Sequence, residues 1–263
     1  MSERDGYEHG VPCWVETLQP DPLDARAFYS GLFGWKFAGP GPGDYFVARL
    51  RGDDVAGLAT PPAGVPTAWN THMWVDDVET AAERAVDAGG SLVAGPMDLD
   101  PAGRMAVLAD PEGGTFCAWK PRERRGAQRV NEPGAWAMSQ LLATDPEGAK
   151  AFYGAVFGWT SETFELGGGL TATMFRLPGY VGGEPEQPVS REVVATMTAA
   201  GPGVTQQWSP DFWVDDTDAA AARATALGGS AVAGPFDTPV GRSAVLADPG
   251  GATFSITRIG VGA

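Results

Sequence analysis

The chain has 263 residues, 43 % of them apolar, with a formal charge of −15 and a sequence pI of about 4.4. That length suits one large domain or two of ordinary size, each with a real core. The acidity excludes non-specific attraction to nucleic acid or to an acidic membrane surface, because both need a basic face.

An entering strand is expected at residues 11–18 (VPCWVETL), broken by Pro20 and Pro22. Asp24 is placed to cap the helix that follows, since its side-chain oxygen can accept from the first free backbone N–H groups. That helix closes on AFYSGLFGW at 27–35. Its Phe28, Leu32, Phe33 and Trp35 form one apolar face, and Gly34 supplies the stop. GPGPG at 39–43 reads as a loop. Short strands at 45–50 and 55–59 flank a Gly52-Asp53-Asp54 turn, and 61–66 reads as a connector. WNTHMWV at 69–75 is a strand rich in aromatic and polar groups, ended by Asp76 and Asp77. A helix over 79–88 stops at Gly89-Gly90. Strands at 91–94, 103–108 and 115–119 complete the half, with DPEGG at 110–114 as a tight turn. Residues 121–129 (PRERRGAQR) carry charge without an apolar period and read as an interdomain linker with solvated side chains.

The second half repeats the first. AFYGAVFGW at 151–159 returns 124 residues after its counterpart (152 − 28), which points to an internal duplication. The entering strand returns at 136–142. Trp213-Val214-Asp215-Asp216 matches Trp74-Val75-Asp76-Asp77 at an offset of 139 (213 − 74), and AVLADP at 244–249 matches 106–111. The offset grows by 15 (139 − 124), so extra residues lie within about 177–210, a region that holds PGYVGGEPEQP. That longer connection is a candidate lid or a surface excursion. The expected division is a first module at 1–122, a linker at 123–132 and a second module at 133–263.

Cys13 and Cys117 are the two cysteines, too few for a disulfide framework and without a CxxC pair. The polar start lacks a signal-like apolar core, and no run approaches about 20 apolar residues. A soluble, cytoplasmic protein is the expectation. P-loop, GxGxxG, GxSxG and HExxH patterns are absent, so nothing suggests a nucleotide cofactor.

FYxxxFGW closing a helix, WVDD between units and VLADPxG before the last strand together resemble the vicinal oxygen chelate superfamily. This is the group of glyoxalases, bleomycin-resistance proteins and extradiol dioxygenases, and the chain is most similar to its two-module, glyoxalase-like or hydroxylase-labelled actinobacterial branch. The resemblance covers nearly the whole chain. It implies an α+β fold of four βαβββ units in two tandem modules, each an open eight-stranded cup that holds a divalent metal or a small organic ligand. The family's histidine position falls on Asn70 and Ser209, its glutamate position on Cys117 and Ser255, and its first-strand ligand near Cys13 or Trp14 and near Met138. With His9 and His72 the only histidines, a two-His-one-carboxylate site is not expected, and neither a metal nor another cofactor is.

Strand alternation then assigns the cup faces. Trp14, Glu16, Asn70, His72, Trp74, Cys117 and Trp119 are expected to face inward in the first cup. Met138, Gln140, Ser209, Asp211, Trp213, Ser255 and Thr257 are expected to do so in the second. His72, Glu16 and Asp211 are the candidate acid–base groups, a carboxylate in an apolar cup having its pKa raised. Trp14, Trp74, Trp119, Asn70, Cys117, Trp213, Gln140 and Ser209 are candidate contacts for a small aromatic molecule. The structural alternative has the tryptophans as core filler and the carboxylates paired with Arg49, Arg104 or Arg176. The leading expectation is a metal-independent enzyme performing ring closure, isomerisation or a hydroxylase-like tailoring step. A sequestering protein and a metal enzyme with atypical ligands are the alternatives. No nucleic-acid or membrane partner is expected, and the protein should be a monomer or homodimer.

Overall fold

A computed structural model of the protein describes residues 3–167, 170–182, 190–201 and 203–260. In the first half, β1 (Pro12–Leu18), α1 (Pro22–Phe33), β2 (Lys36–Gly41), β3 (Tyr45–Leu50) and β4 (Asp53–Ala59) form one unit. β5 (Ala68–Trp74), α2 (Val78–Asp87), β6 (Ser91–Leu99), β7 (Gly103–Ala109) and β8 (Thr115–Pro121) form the next. The second half repeats the pattern. Its first unit is β9 (Trp136–Ala143), α3 (Pro146–Phe157), β10 (Thr160–Gly167), β11 (Leu170–Arg176) and β12 (Val193–Ala199). Its second is β13 (Gln207–Trp213), α4 (Thr217–Ala226), β14 (Ser230–Thr238), β15 (Gly241–Ala247) and β16 (Thr253–Ile259).

Each half makes one open eight-stranded sheet, ordered β2-β3-β4-β1-β5-β8-β7-β6 and β10-β11-β12-β9-β13-β16-β15-β14. A helical crossover returns the chain parallel to its starting strand, so β1 lies parallel to β4 and β5 to β8. The two units of a half join through the antiparallel central pair β1–β5, and likewise β9–β13. The fold is therefore α+β, with four βαβββ units in two tandem sheets.

Local chemistry explains the helix ends. Asp21, rather than Asp24, caps α1: its carboxylate accepts from the N–H groups of Leu23 and Asp24, and Pro22 occupies the first helical position. Gly34 ends the helix at φ 74°, a conformation that favours glycine. The second aspartate of each DD pair is also a cap, Asp77 for α2 and Asp216 for α4. The segment expected as a loop at 39–43 begins inside strand β2. That strand is at the sheet edge, where Pro40 interrupts no central ladder. In the long connection, residues 183–189 and 202 lie outside the described residues, and with them most of the proline-rich stretch expected as a lid.

The duplicated motifs meet across the halves. Phe28 and Phe33 of α1 pack on Phe254 and Phe212 of the second sheet, with ring centroids 6.3 and 4.9 Å apart. Reciprocally, Phe152 and Phe157 of α3 pack on Phe116 of the first sheet, at 6.1 and 5.8 Å. The tyrosine of each FY pair reaches the DP aspartate of the other half: Tyr29 donates to Asp248 at 2.7 Å and Tyr153 to Asp110 at 2.8 Å. Gln19 also donates to Asp248, and Gln206 to Asp110. Each hydrophobic core thus draws on both halves. These contacts use the helix-covered face of each sheet and leave the opposite, concave face to the cups.

Candidate functional site

In the first cup, register places Trp14 opposite His72, Glu16 opposite Asn70, His72 opposite Cys117 and Trp74 opposite Trp119. Opposed residues share a face, so all seven expected side chains are brought together. At the floor, Glu16 Oε1 lies 3.3 Å from His72 Nε2. Tyr45 donates to the other carboxylate oxygen at 3.0 Å and accepts from the Trp14 indole at 2.9 Å. Tyr45 reaches Glu16 because Gly57 has no side chain: a Cβ there would sit 1.9 Å from the Tyr45 hydroxyl. Arg124 lies over both rings, its guanidinium carbon 4.7 Å from the Tyr45 centroid and 5.5 Å from that of Trp14.

This floor is sealed. Trp14, His72, Cys117 and Trp119 are buried, and Glu16 is 8 % exposed. Burial pushes the Glu16 carboxyl up, but the His72 charge beside it and the polar contacts of His72, Tyr45 and Asn70 outweigh it and hold the group below its ordinary value. Burial pulls His72 down, yet the Cys117 sulfur and the Glu16 carboxylate overcome it and raise the imidazole to about 10. Each of the two groups thus favours the charged form of the other.

The second cup differs. Met138 faces Asp211, Gln140 faces Ser209, Asp211 faces Ser255 and Trp213 faces Thr257. Met138, Gln140, Asp211, Trp213 and Ser255 are half-buried, as are Thr196 and Met174 on the adjoining strands. Asp211 occupies the position equivalent to His72 in the repeat (72 + 139) but pairs with no cation among the described residues; Thr257 donates to it at 2.7 Å. Burial therefore pushes its carboxyl up to about 7, with the Thr257 hydrogen bond opposing weakly. Of the three candidate acid–base groups, Asp211 is the one whose carboxyl burial pushes up toward neutrality.

The arginine partners considered for the carboxylates are engaged elsewhere: Arg49 pairs with Asp54, Arg104 with Glu79 and Asp98, and Arg176 with Glu162. Trp14 presents its face to Arg124 and Trp119 makes an edge-to-face contact with His72, while Trp74 and Trp213 are half-buried. Arg124 belongs to the run expected as a solvated linker. That run packs on the first sheet instead, with the Ala127 N–H donating to Cys13 and that of Gln128 to Asp54. Period-two alternation sets Tyr45 and Val47 on one face of β3. Nothing in the sequence shows that β3 lies two strands from β1, which is what brings Tyr45 to Glu16.

Among the described residues, one cluster can meet a divalent ion: donor atoms of Glu16, His72 and Cys117 lie within 4.8 Å of one another. His72 Nε2 is buried without an aligned hydrogen-bond partner. Its 3.3 Å separation from Glu16 Oε1 matches the edge of a tetrahedron with arms of about 2.0 Å. One nitrogen, one sulfur and one carboxylate suit a borderline-soft ion such as zinc better than a hard one such as manganese, and leave a fourth position free. The residues fit a metal, although two of the family's ligand positions, Asn70 and Trp14, are not part of the cluster.

Two open sheets of doubled βαβββ units with polar groups on their concave faces define a duplicated glyoxalase-like protein. The model of the glyoxalase-like domain family matches residues 15–119 and 138–257, and the chain belongs to that family. It is 38 % identical to the putative glyoxylase CFP32 of Mycobacterium tuberculosis over 268 residues, covering 98 % of each chain. It is 34 % identical to the anthracycline biosynthesis protein DnrV of Streptomyces peucetius over 271 residues, covering 96 % of this chain and 94 % of that one. In fold it resembles the Mn(II)-bound glyoxalase from Novosphingobium aromaticivorans, with TM-score 0.65, 15 % identity and coverage of 95 % and 83 %. It also resembles BphC, a halotolerant catechol dioxygenase, with TM-score 0.64, 14 % identity and coverage of 97 % and 89 %. No helix among the described residues is long and apolar enough to cross a membrane.

Proposed function

We propose that this protein is a tailoring enzyme of secondary metabolism that moves a proton on an aromatic or polycyclic molecule held in the second cup, without a metal in that step. The observation that carries the reading is Asp211, a carboxyl pushed up to about 7 on a half-buried concave face. At neutral pH such a group is present in both protonation states, so it can take a proton from one substrate atom and return it to another. Isomerisation and ring closure both need that exchange. Thr257 orients the carboxyl; Ser209, Ser255 and Gln140 offer hydrogen bonds; Met138, Met174 and Trp213 supply apolar contact. Similarity to DnrV, a protein named for anthracycline biosynthesis, supports a polycyclic aromatic substrate.

The test is turnover of a panel of polycyclic aromatic ketones by the parent protein and by Asp211→Asn, with binding followed by tryptophan quenching. A loss of about a hundredfold or more in rate at unchanged affinity supports the reading. Unchanged turnover in the variant overturns it. Binding without turnover by the parent makes the protein a sequestering one instead.

The Glu16–His72–Cys117 cluster favours a second reading, a zinc enzyme working from the first cup. A zinc ion there would act as a Lewis acid on a substrate oxygen or a bound water. The protein would hold it with those three side chains while Trp14, Tyr45 and Trp119 exclude water. Stoichiometric zinc in the purified protein, lost in Cys117→Ser, would support that reading.

A further inference from the structure

We propose that a cavity between the N-terminal segment and the second sheet is a binding site for a small oxyanion, a carboxylate or a phosphate. The cavity has a volume of about 60 Å³ and is lined by Arg4, Asn131, Trp136, Tyr180 and Arg191 among others. It has room for an oxyanion group, and a ring attached to that group would extend out of it.

Its polar groups are mismatched in one direction. Trp136 is 4 % exposed, and its indole N–H has no hydrogen-bond partner. Six other indoles, those of Trp14, Trp35, Trp69, Trp119, Trp159 and Trp208, each donate to a protein oxygen. Arg4 Nε is likewise buried and unpartnered. Indole and guanidinium are donors only, so they cannot satisfy each other, and leaving both dry is unfavourable. Neither finds an acceptor among the described residues.

Charge selects an anion over water. Among the described residues Arg4 makes no ion pair, and Arg191, at the mouth, donates from Nε to the Gly182 carbonyl at 3.0 Å without meeting a carboxylate. In a chain of net charge −15, these two guanidinium groups beside one cavity meet no carboxylate among the described residues. Glu8 acts on the Tyr180 phenol nearby but forms no ion pair with Arg4. Arg4 is held in place, since its backbone N–H donates to the Gln128 carbonyl at 2.8 Å. The arrangement is preorganised for two charge-assisted bonds to oxygen. Met138 lines the cavity and pairs with Asp211 across β9 and β13, so the site abuts the second cup. It does not depend on chemistry at Asp211.

The test follows the indole N–H resonances of ¹⁵N-labelled protein during titration with sodium acetate, sodium benzoate or potassium phosphate, with ionic strength held by sodium chloride. Trp136→Phe identifies the Trp136 resonance by its loss. We expect that resonance to move saturably with at least one of the three and not with chloride. Arg4→Gln and Arg191→Gln should each weaken binding by about tenfold, the second serving if the first loosens the N-terminal segment. Movement with acetate or phosphate identifies a free oxyanion as the ligand, and movement with benzoate alone identifies a carboxylate carried on a ring. A Trp136 resonance indifferent to all three, or both arginine variants binding like the parent, would overturn the proposal.

Discussion

Replacing Asp211 by Asn should make the protein more stable, by an amount that grows as pH rises from about 4 to 8. The Asp211 carboxyl rises from 3.8 to about 7 on folding because burial disfavours its charge. A shift of about 3 units at about 1.36 kcal/mol each sets a ceiling near 4 kcal/mol. The folded state holds the proton more tightly, so this contribution is fully present below about pH 4 and is lost as pH rises through 7. Between pH 5 and pH 8 the parent should therefore lose about 2 to 3 kcal/mol through this one group. Asparagine cannot ionise, and its Oδ1 can still accept from Thr257. Urea unfolding of both proteins at pH 5 and pH 8 measures the difference. The variant should exceed the parent by about 1 to 2 kcal/mol at pH 5 and by about 4 kcal/mol at pH 8, a gap that widens by about 2 to 3 kcal/mol between the two. Parallel pH dependence in the two proteins would show that Asp211 titrates as an ordinary surface aspartate. The proposed acid–base role would then lose its basis.

Three further outcomes follow from the geometry. Tyr29→Phe and Tyr153→Phe each remove a hydrogen bond to a buried aspartate across the halves, and should each destabilise by about 1 to 3 kcal/mol. Both should lower one common unfolding transition, visible as coincident fluorescence and circular-dichroism curves. Gly57→Ala should displace the Tyr45 ring and destabilise by about 1 to 3 kcal/mol, with a change in tryptophan emission as Trp14 loses its acceptor. Glu16→Gln removes a carboxylate that helps keep the buried His72 charged and should destabilise by about 3 kcal/mol or more at pH 6. Because the folded His72 titrates near 10, that difference should shrink as pH rises through 10, as unfolding at pH 6 and pH 10.5 would show.

Much of this molecule is written locally. The doubled AFYxxxFGW, the DD pairs and the DP turns mark four units, because each motif ends or caps an element through its own backbone chemistry. Alternation along β1, β5, β8, β9 and β13 assigns side chains to the concave faces, because a period of two needs no knowledge of neighbouring strands. The edge strand β2 was hidden by its glycines and Pro40, residues that suggest a loop until a partner strand is present.

The chemical difference between the cups is not local. Glu16 and Asp211 are carboxylates on comparable strand faces, yet one is held below its ordinary pKa and the other pushed above. His72, Tyr45 and Asn70 surround the first, and a lone Thr257 meets the second. The exchange of α1 and α3 between halves, and the folding of Arg124 over Trp14, are equally absent from any short stretch. Pattern along the chain determined the units and their faces. Contacts between residues dozens to hundreds of positions apart decided which cup has a buried floor and which carboxyl is held up and which down, because charge and burial are set by whatever the fold brings alongside.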